Sequence, residues 1–414
     1  MKHRIHRIVH HRIFSPIGYF LRDSRAVGVI LIVNTIISLT LANNVFSGNW
    51  YKGIWNAEIH IPGFIKLPGT PIEWLNSFLM AFFFTMAGME IKRELLAGEL
   101  SSFKKAILPF GAALGGMMVP AIIFVLFNTY SSYIHGWGIP TATDIAFSLG
   151  VASLLGKRIP FGLKILLMAL AIIDDLGAIV VIALFYGGQI YWAYLLAAAV
   201  VYALLLACNF FKIKFGALQI ILGLLIWYLM FNSGIEASIT GVLFAFAVRV
   251  KDLPVLEKAL HNVVNFFILP LFALANTAIG LPSNASEALG TTVSQGIIAG
   301  LVIGKPLGIF LVSRLLVGLK IASLPKHVNW KQVFGMGTLA GIGFTMSIFT
   351  TMLAFKEESV RDIAKISILL AVVFSVIISV VYFYLIDLRI FRTKTAHAAT
   401  LPSTDLKFNT TAGE

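Results

Sequence analysis

Ala169-Leu170-Ala171-Ile172-Ile173-Asp174-Asp175-Leu176-Gly177-Ala178-Ile179-Val180-Val181-Ile182 sets two adjacent carboxylates in an otherwise apolar run. Pro160 and Gly187 bracket the run, which is long enough to cross a bilayer as a helix. Both acids then lie near mid-depth, where each charged Asp costs roughly 2.5–3.5 kcal/mol on insertion scales. Side chains at successive helix positions point about 100° apart. One partner cannot serve both acids equally, so they have separate tasks. A buried structural ion pair is the plainer reading, but ionisable residues inside a membrane mark ion or proton pathways by default.

The composition supports a membrane setting and argues against a soluble core. Over 414 residues, 58% are hydrophobic and 12% charged, with a mean hydropathy of +0.89; soluble domains carry about 25% charged residues. Cys208 is the single cysteine, which excludes an intrachain disulfide. The formal net charge of +13 does not point to nucleic acid, because the basic residues are dispersed through short segments. The first apolar run, Ala26 to Ala42, has no clear cleavage site and reads as an uncleaved span. Before it, Met1 to Phe14 carries basic residues and four histidines near helical spacing. This suits a basic helix on an anionic lipid surface; the histidine spacing matches no closed metal site.

Apolar segments of spanning length recur at Pro71–Ile91, Ala106–Asn128, Ser132–Leu155, Pro160–Tyr186, Tyr191–Phe211 and Phe215–Asn232. They continue at Ile235–Val248, Leu256–Leu281, Val293–Gly318, Trp330–Phe355 and Ile363–Leu385. With the first span they predict an all-α polytopic protein of twelve transmembrane helices, one transporter domain over residues 1–392. Counting alternate loops from the N-terminal side, 26 of the 32 Lys and Arg fall on one side and five on the other. That is the positive-inside pattern, and it puts both termini in the cytoplasm. Between the first two spans, alternating apolar residues about Pro62-Gly63 predict one small β-hairpin over 57–67. Residues 393–414, rich in Thr, Ala and Ser, read as a disordered tail.

Two spans carry glycine and proline at mid-depth. The fourth contains Gly136-Trp137-Gly138-Ile139-Pro140-Thr141-Ala142-Thr143-Asp144, and the eleventh contains Gly335, Gly337, Gly341 and Gly343. Irregular backbone at that depth survives only where protein or a water-filled cavity satisfies it. Each broken span is the middle one of a three-span block, spans 3–5 and 10–12, and the blocks enter the membrane in opposite senses. Inverted repeats with discontinuous helices form a transport site at the repeat interface. Asp144, Asp174, Asp175 and Lys305 are the ionisable residues at that level, with the Thr143 hydroxyl beside them. Hard cations such as Na⁺ and Li⁺ want the oxygen ligands that carboxylates, hydroxyls and freed carbonyls supply.

Thr141-Ala142-Thr143-Asp144-Ile145-Ala146-Phe147, the Ala169–Ala178 run, Gly304-Lys305-Pro306 and Gly341-Ile342-Gly343-Phe344-Thr345-Met346-Ser347 closely resemble the NhaA family of bacterial Na⁺/H⁺ antiporters, from the first span to the twelfth. The inverted-repeat fold is an established property of that family. The resemblance implies a Na⁺(Li⁺)/H⁺ antiporter of the bacterial inner membrane, a secondary transporter rather than an enzyme, without a cofactor. It implies that Asp175 binds either Na⁺ or a proton, that Thr143 and Asp144 help hold the Na⁺, and that Asp174 faces Lys305. It further implies pH regulation through Glu90, Arg93, Glu94, Glu257 and His261, and a homodimer paired through the 57–67 hairpin. Ser77, Glu236 and Lys258 depart from the family pattern, which bears on the pH profile. The paired acids suit two protons per Na⁺ and therefore electrogenic exchange. Two other readings compete. A sodium-coupled symporter of the same fold would need a roomier polar cavity. An intramembrane aspartyl protease would need its acids on two facing helices and usually a Gly-x-Gly-Asp sequence, which the chain lacks.

Overall fold

The computed structural model describes residues 15–60, 66–282 and 284–399. Chain hydropathy sets the architecture: eight helices are long and apolar enough to cross a membrane, and a ninth span is formed if one bent pair is joined. The first is α1 (Ser15–Asn43), followed by the short α2 (Gly48–Asn56). Then come α3 (Pro71–Ala97) and α4 (Phe103–Asn128). A 3₁₀ segment, Ser132–Thr141, leads into α5 (Ile145–Leu154). The paired acids ride on α6 (Phe161–Phe185), and α7 (Trp192–Phe210) and α8 (Ala217–Ser233) follow. The second half holds α9 (Thr240–Ala247), α10 (Leu253–Asn276), α11 (Ala285–Gly290) and α12 (Thr292–Gly318). The bent pair is α13 (Trp330–Ala340) and α14 (Phe344–Ala354), at 48° to each other. The last helix, α15, runs Glu358–Ala399.

Local signals explain several of these ends. Asn329 and Gln332 form a reciprocal capping box at the start of α13, 2.9 and 3.0 Å, and Thr70 caps α3 just before Pro71. Gly234, with φ at +85°, stops α8. Helix α15 runs on to Ala399, into the stretch expected to be disordered; residues 400–414 lie outside the described residues. So do residues 1–14, with the histidine-rich opening, and residues 61–65, which hold the turn of the expected hairpin. Among the described residues no strand flanks that turn; the two arms meet through one backbone bond, Ile59 N–H to the Gly69 carbonyl, 2.7 Å.

The core of the bundle is mostly aliphatic, with Phe84, Phe124, Phe272, Phe344, Phe349 and Phe383 as its largest almost wholly buried rings. Long apolar side chains face outward instead, among them Leu126, Leu184, Val200 and Leu315. A belt of that kind is stable only against lipid. Helices α4 and α12 touch backbone to backbone at Gly115 and Gly308. A Cβ built on Gly308 would lie 2.0 Å from the Gly115 carbonyl oxygen, so only glycine permits the approach, as in small-residue membrane interfaces. That contact fixes the helix which carries Lys305.

Candidate ion-binding site

The two interrupted spans meet at their breaks. The backbone N–H of Asp144 donates to the Ile342 carbonyl at 2.7 Å, and the Ser347 hydroxyl donates to the Ile139 carbonyl, also at 2.7 Å. Each break therefore satisfies part of the other's exposed backbone, which is the requirement for irregular chain inside a membrane protein.

Asp144 is the N-cap of α5: one of its oxygens accepts from the Phe147 N–H at 2.9 Å. Its other oxygen accepts from the Thr345 N–H at 3.1 Å and the Thr345 hydroxyl at 2.7 Å. The first turns of α5 and α14 thus converge on one carboxylate, and both present the positive ends of their dipoles to it. Thr143, one residue earlier, puts its hydroxyl 2.6 Å from Asp174 Oδ2 and 2.9 Å from the Ala340 carbonyl, one of the last carbonyls of α13.

The adjacent acids on α6 do separate, as the helix geometry requires. Asp174 Oδ2 lies 2.7 Å from Lys305 Nζ, and neither side chain is exposed. The same ammonium also donates to the Thr141 carbonyl. Lys305 follows directly on a widened π-turn, Gly300–Gly304, a local unwinding that re-aims the side chain behind it. Asp175 points elsewhere. It lines a cavity of about 40 Å³ together with Asp144, Thr143, Thr345, Glu90 and His261. Asp175 is 4% exposed, and its Oδ1 is buried without a hydrogen-bond partner. Asp174 and Lys305 do not line that cavity.

The residues expected to regulate by pH also cluster. Arg93 binds Glu257 at 3.0 Å and lies 3.8 Å from Glu90 and 3.9 Å from Glu94. They sit on the last turns of α3 and the first turns of α10 rather than in a loop. Lys92, next to them on α3, donates instead to the last carbonyls of α9, Phe246 at 2.7 Å among them. Glu90 and His261 line the cavity, which joins the cluster to Asp175. The Asn265 amide contacts the His261 ring at 3.2 Å. Of the three departures, Ser77 donates to the Glu73 carbonyl at 2.7 Å, Glu236 accepts from the Ser238 N–H at 3.3 Å, and Lys258 is exposed.

Sequence reasoning did not single out Thr345 or Asn265. Thr345 lies in a glycine-rich stretch read as a helix break and as one of the motifs of the family resemblance, and nothing in that pattern says its hydroxyl reaches Asp144. Asn265 lies inside a second π-turn, Val264–Ile268, whose rotation of the helix face hydropathy does not report.

Comparisons with known proteins agree with this geometry. The profile of the family described as Na⁺/H⁺ antiporter 1 matches residues 19–383. The Na⁺/H⁺ antiporter NhaA 2 of Clostridium beijerinckii is 44% identical over 389 residues, covering 91% of this chain and 96% of its own. The Na⁺/H⁺ antiporter NhaA of Flavobacterium psychrophilum is 47% identical, covering 85% and 91%. That of Dechloromonas aromatica is 46% identical, covering 85% and 91%. With its paired acids, its meeting breaks and a match over residues 19–383, this membrane chain belongs to the Na⁺/H⁺ antiporter 1 family.

Proposed function

We propose that the chain exports Na⁺, or Li⁺, in exchange for protons across the bacterial inner membrane, as a secondary transporter. The observation that carries this reading is Asp175, a buried carboxylate without a partner on Oδ1, facing a cavity it shares with Asp144 and Thr143. A carboxylate left unsatisfied in a dry interior is costly, and either a proton or a cation relieves it. The two loads compete for one group, which is the coupling an exchanger needs. Asp144 accepts three hydrogen bonds and keeps about one of its four lone-pair sites for a cation. Thr143 can lend an oxygen lone pair while its hydroxyl proton is donated to Asp174 or to the Ala340 carbonyl.

The size of the cavity bears on the competing symporter. About 40 Å³ holds a cation with a few waters, each water needing about 10–15 Å³ of such space. Benzene occupies cavities near 150 Å³, so an organic solute does not fit beside Asp175 in this conformation. Asp174 and Asp175 neighbour each other on one helix, which disfavours protease chemistry.

The wider reading follows. The nine long or bent spans and the shorter apolar helices Ile145–Leu154, Ala217–Ser233 and Ala237–Ala247 make twelve spans in one domain over 1–392. Spans 3–5 and 10–12 are the inverted repeats, and both termini lie in the cytoplasm. Asp174 and Lys305 hold the core charge-balanced behind the exchanging Asp175. With Asp144, Asp174, Asp175 and Lys305 all ionised the site carries minus two, so two protons neutralise it and one Na⁺ does not; exchange of two protons per Na⁺ is electrogenic. Glu90, Arg93, Glu94, Glu257 and His261 tune the response to pH, and two copies pair through residues 57–67.

The test is Na⁺-induced dissipation of a pH gradient in everted membrane vesicles from cells lacking other antiporters. Sodium-dependent proton movement that requires Asp175 is expected; its absence at every pH tried overturns the assignment.

A further inference from the structure

The cavity at Asp175 has a polar wall on α10 as well. His261, Asn265 and Leu269 all line it, each four residues after the last. Side chains four apart on an ordinary α-helix drift by about 40° per step. The π-turn Val264–Ile268, which contains Asn265, takes up that drift and keeps Asn265 aimed inward with the other two. Asn265 is 5% exposed.

The two ends of its carboxamide are in different situations. Nδ2 lies 3.2 Å from His261 Nδ1 and 3.4 Å from Nε2, and whichever ring nitrogen carries no proton accepts from it. Oδ1 has no hydrogen-bond partner among the described residues, yet it is not sealed off and keeps accessible surface. Asn276, also buried on α10, is held by protein at both ends: it donates to Asn76 at 2.9 Å and accepts back at 3.3 Å. A buried amide oxygen without a partner is costly, so the contents of the cavity meet Asn265 Oδ1. Hard cations take about six oxygens, amide carbonyls among them, and Asp175, Asp144 and Thr143 supply fewer than that.

We propose that Asn265 Oδ1 is a ligand of the transported cation, presented to the cavity while His261 holds the amide nitrogen. This rests on the exchange reading of Asp175 and adds to it an unequal treatment of the two loads. A proton on Asp175 needs nothing from Asn265, whereas the cation loses one oxygen without it. Asn265 therefore tilts the competition at Asp175 toward the cation. Na⁺ depends on that oxygen more than Li⁺, which is smaller and is enclosed by fewer ligands.

Asn265→Leu removes both polar ends at similar size, and Asn265→Asp keeps an oxygen in the place of Oδ1. In proteoliposomes, at a pH where the parent is active, Asn265→Leu should raise the KM for Na⁺ about tenfold, the worth of one polar contact to a charge, and leave kcat within about twofold. The KM for Li⁺ should rise less, and Asn265→Asp should keep the Na⁺ KM near the parent's. Should Asn265→Leu fail to insert, Asn265→Ala carries the same expectations. Equal KM values in the parent and the apolar variant overturn the assignment. So does a fall in kcat that strikes Na⁺ and Li⁺ alike with KM unchanged, which marks a packing residue. A parent without Na⁺-dependent proton movement is a different failure: it removes the exchange reading, and the ligand with it.

Discussion

Thr345 gives both its backbone N–H and its hydroxyl to a single oxygen of Asp144, at 3.1 and 2.7 Å. Since Asp144 also caps α5, one side chain holds the first turns of two helices that are distant in sequence. Hydrogen bonds to a charged acceptor contribute about 1.5–3 kcal/mol. Thr345→Val removes the hydroxyl bond and keeps the N–H bond, so stability falls by about that amount. Thr345→Ser stays near the parent, and Asp144→Ala falls further than either. Melting temperatures in one detergent rank the variants; a Thr345→Val protein as stable as the parent would show that the crossing is held elsewhere.

Asp175 is a different case, because its Oδ1 has no partner to lose. Asp175→Asn removes the exchangeable charge at nearly constant size. Sodium-dependent proton movement in vesicles should vanish while melting temperature stays level or rises. A folded variant that still exchanges near the parent rate would mean the cation binds another acid.

Asp174 and Lys305 form a pair with no exposed surface. Breaking a buried pair from one side costs about 3–5 kcal/mol, because the remaining charge is stranded. Lys305→Ala should therefore melt well below the parent, and the double variant Lys305→Ala with Asp174→Asn should regain most of the loss. Additive losses in the double variant would indicate that the pair contributes nothing jointly.

Electrogenic exchange gives a third kind of test. If two protons enter for each Na⁺ that leaves, one charge crosses per turn, and the membrane potential contributes about 2.3 kcal/mol per 100 mV. In proteoliposomes loaded with Na⁺ at equal pH on both sides, an inside-negative potential should drive proton uptake and Na⁺ efflux. Exchange indifferent to the potential would assign one proton per Na⁺ and leave Asp174 a purely structural acid.

How much of this was legible in the chain depended on the physics each feature obeys. Span positions follow hydropathy and helical length, so Pro160–Tyr186 was expected and Phe161–Phe185 is found. The separation of Asp174 from Asp175 follows from helical geometry alone. Which of them meets Lys305 does not, since it depends on a π-turn and on the glycine contact at Gly115 and Gly308. The family resemblance supplied that assignment. The bond from Thr345 to Asp144 escaped notice because it joins residues about two hundred apart, and periodicity carries no information at that range. A further long-range link escaped for the same reason: Asn76 and Asn276 pair their amides reciprocally, the shorter bond 2.9 Å. The widened turn Leu75–Leu79 sets the angle of Asn76, and hydropathy is blind to it.

The distance along the chain between Asp174 and Lys305 governs the order of assembly. More than a hundred residues separate them, so at roughly 5–20 residues per second of synthesis the acid waits on the order of ten seconds for its cation. During that interval the first half of the nascent chain sits in the translocon or the bilayer with an uncompensated carboxyl group. The pair closes when α12 docks against α4 and brings Lys305 to Asp174. A chain cut in the loop between α10 and α12 should then behave as two fragments that are each degraded when made alone and rescue one another when made together, with Lys305 as the residue on which the rescue turns.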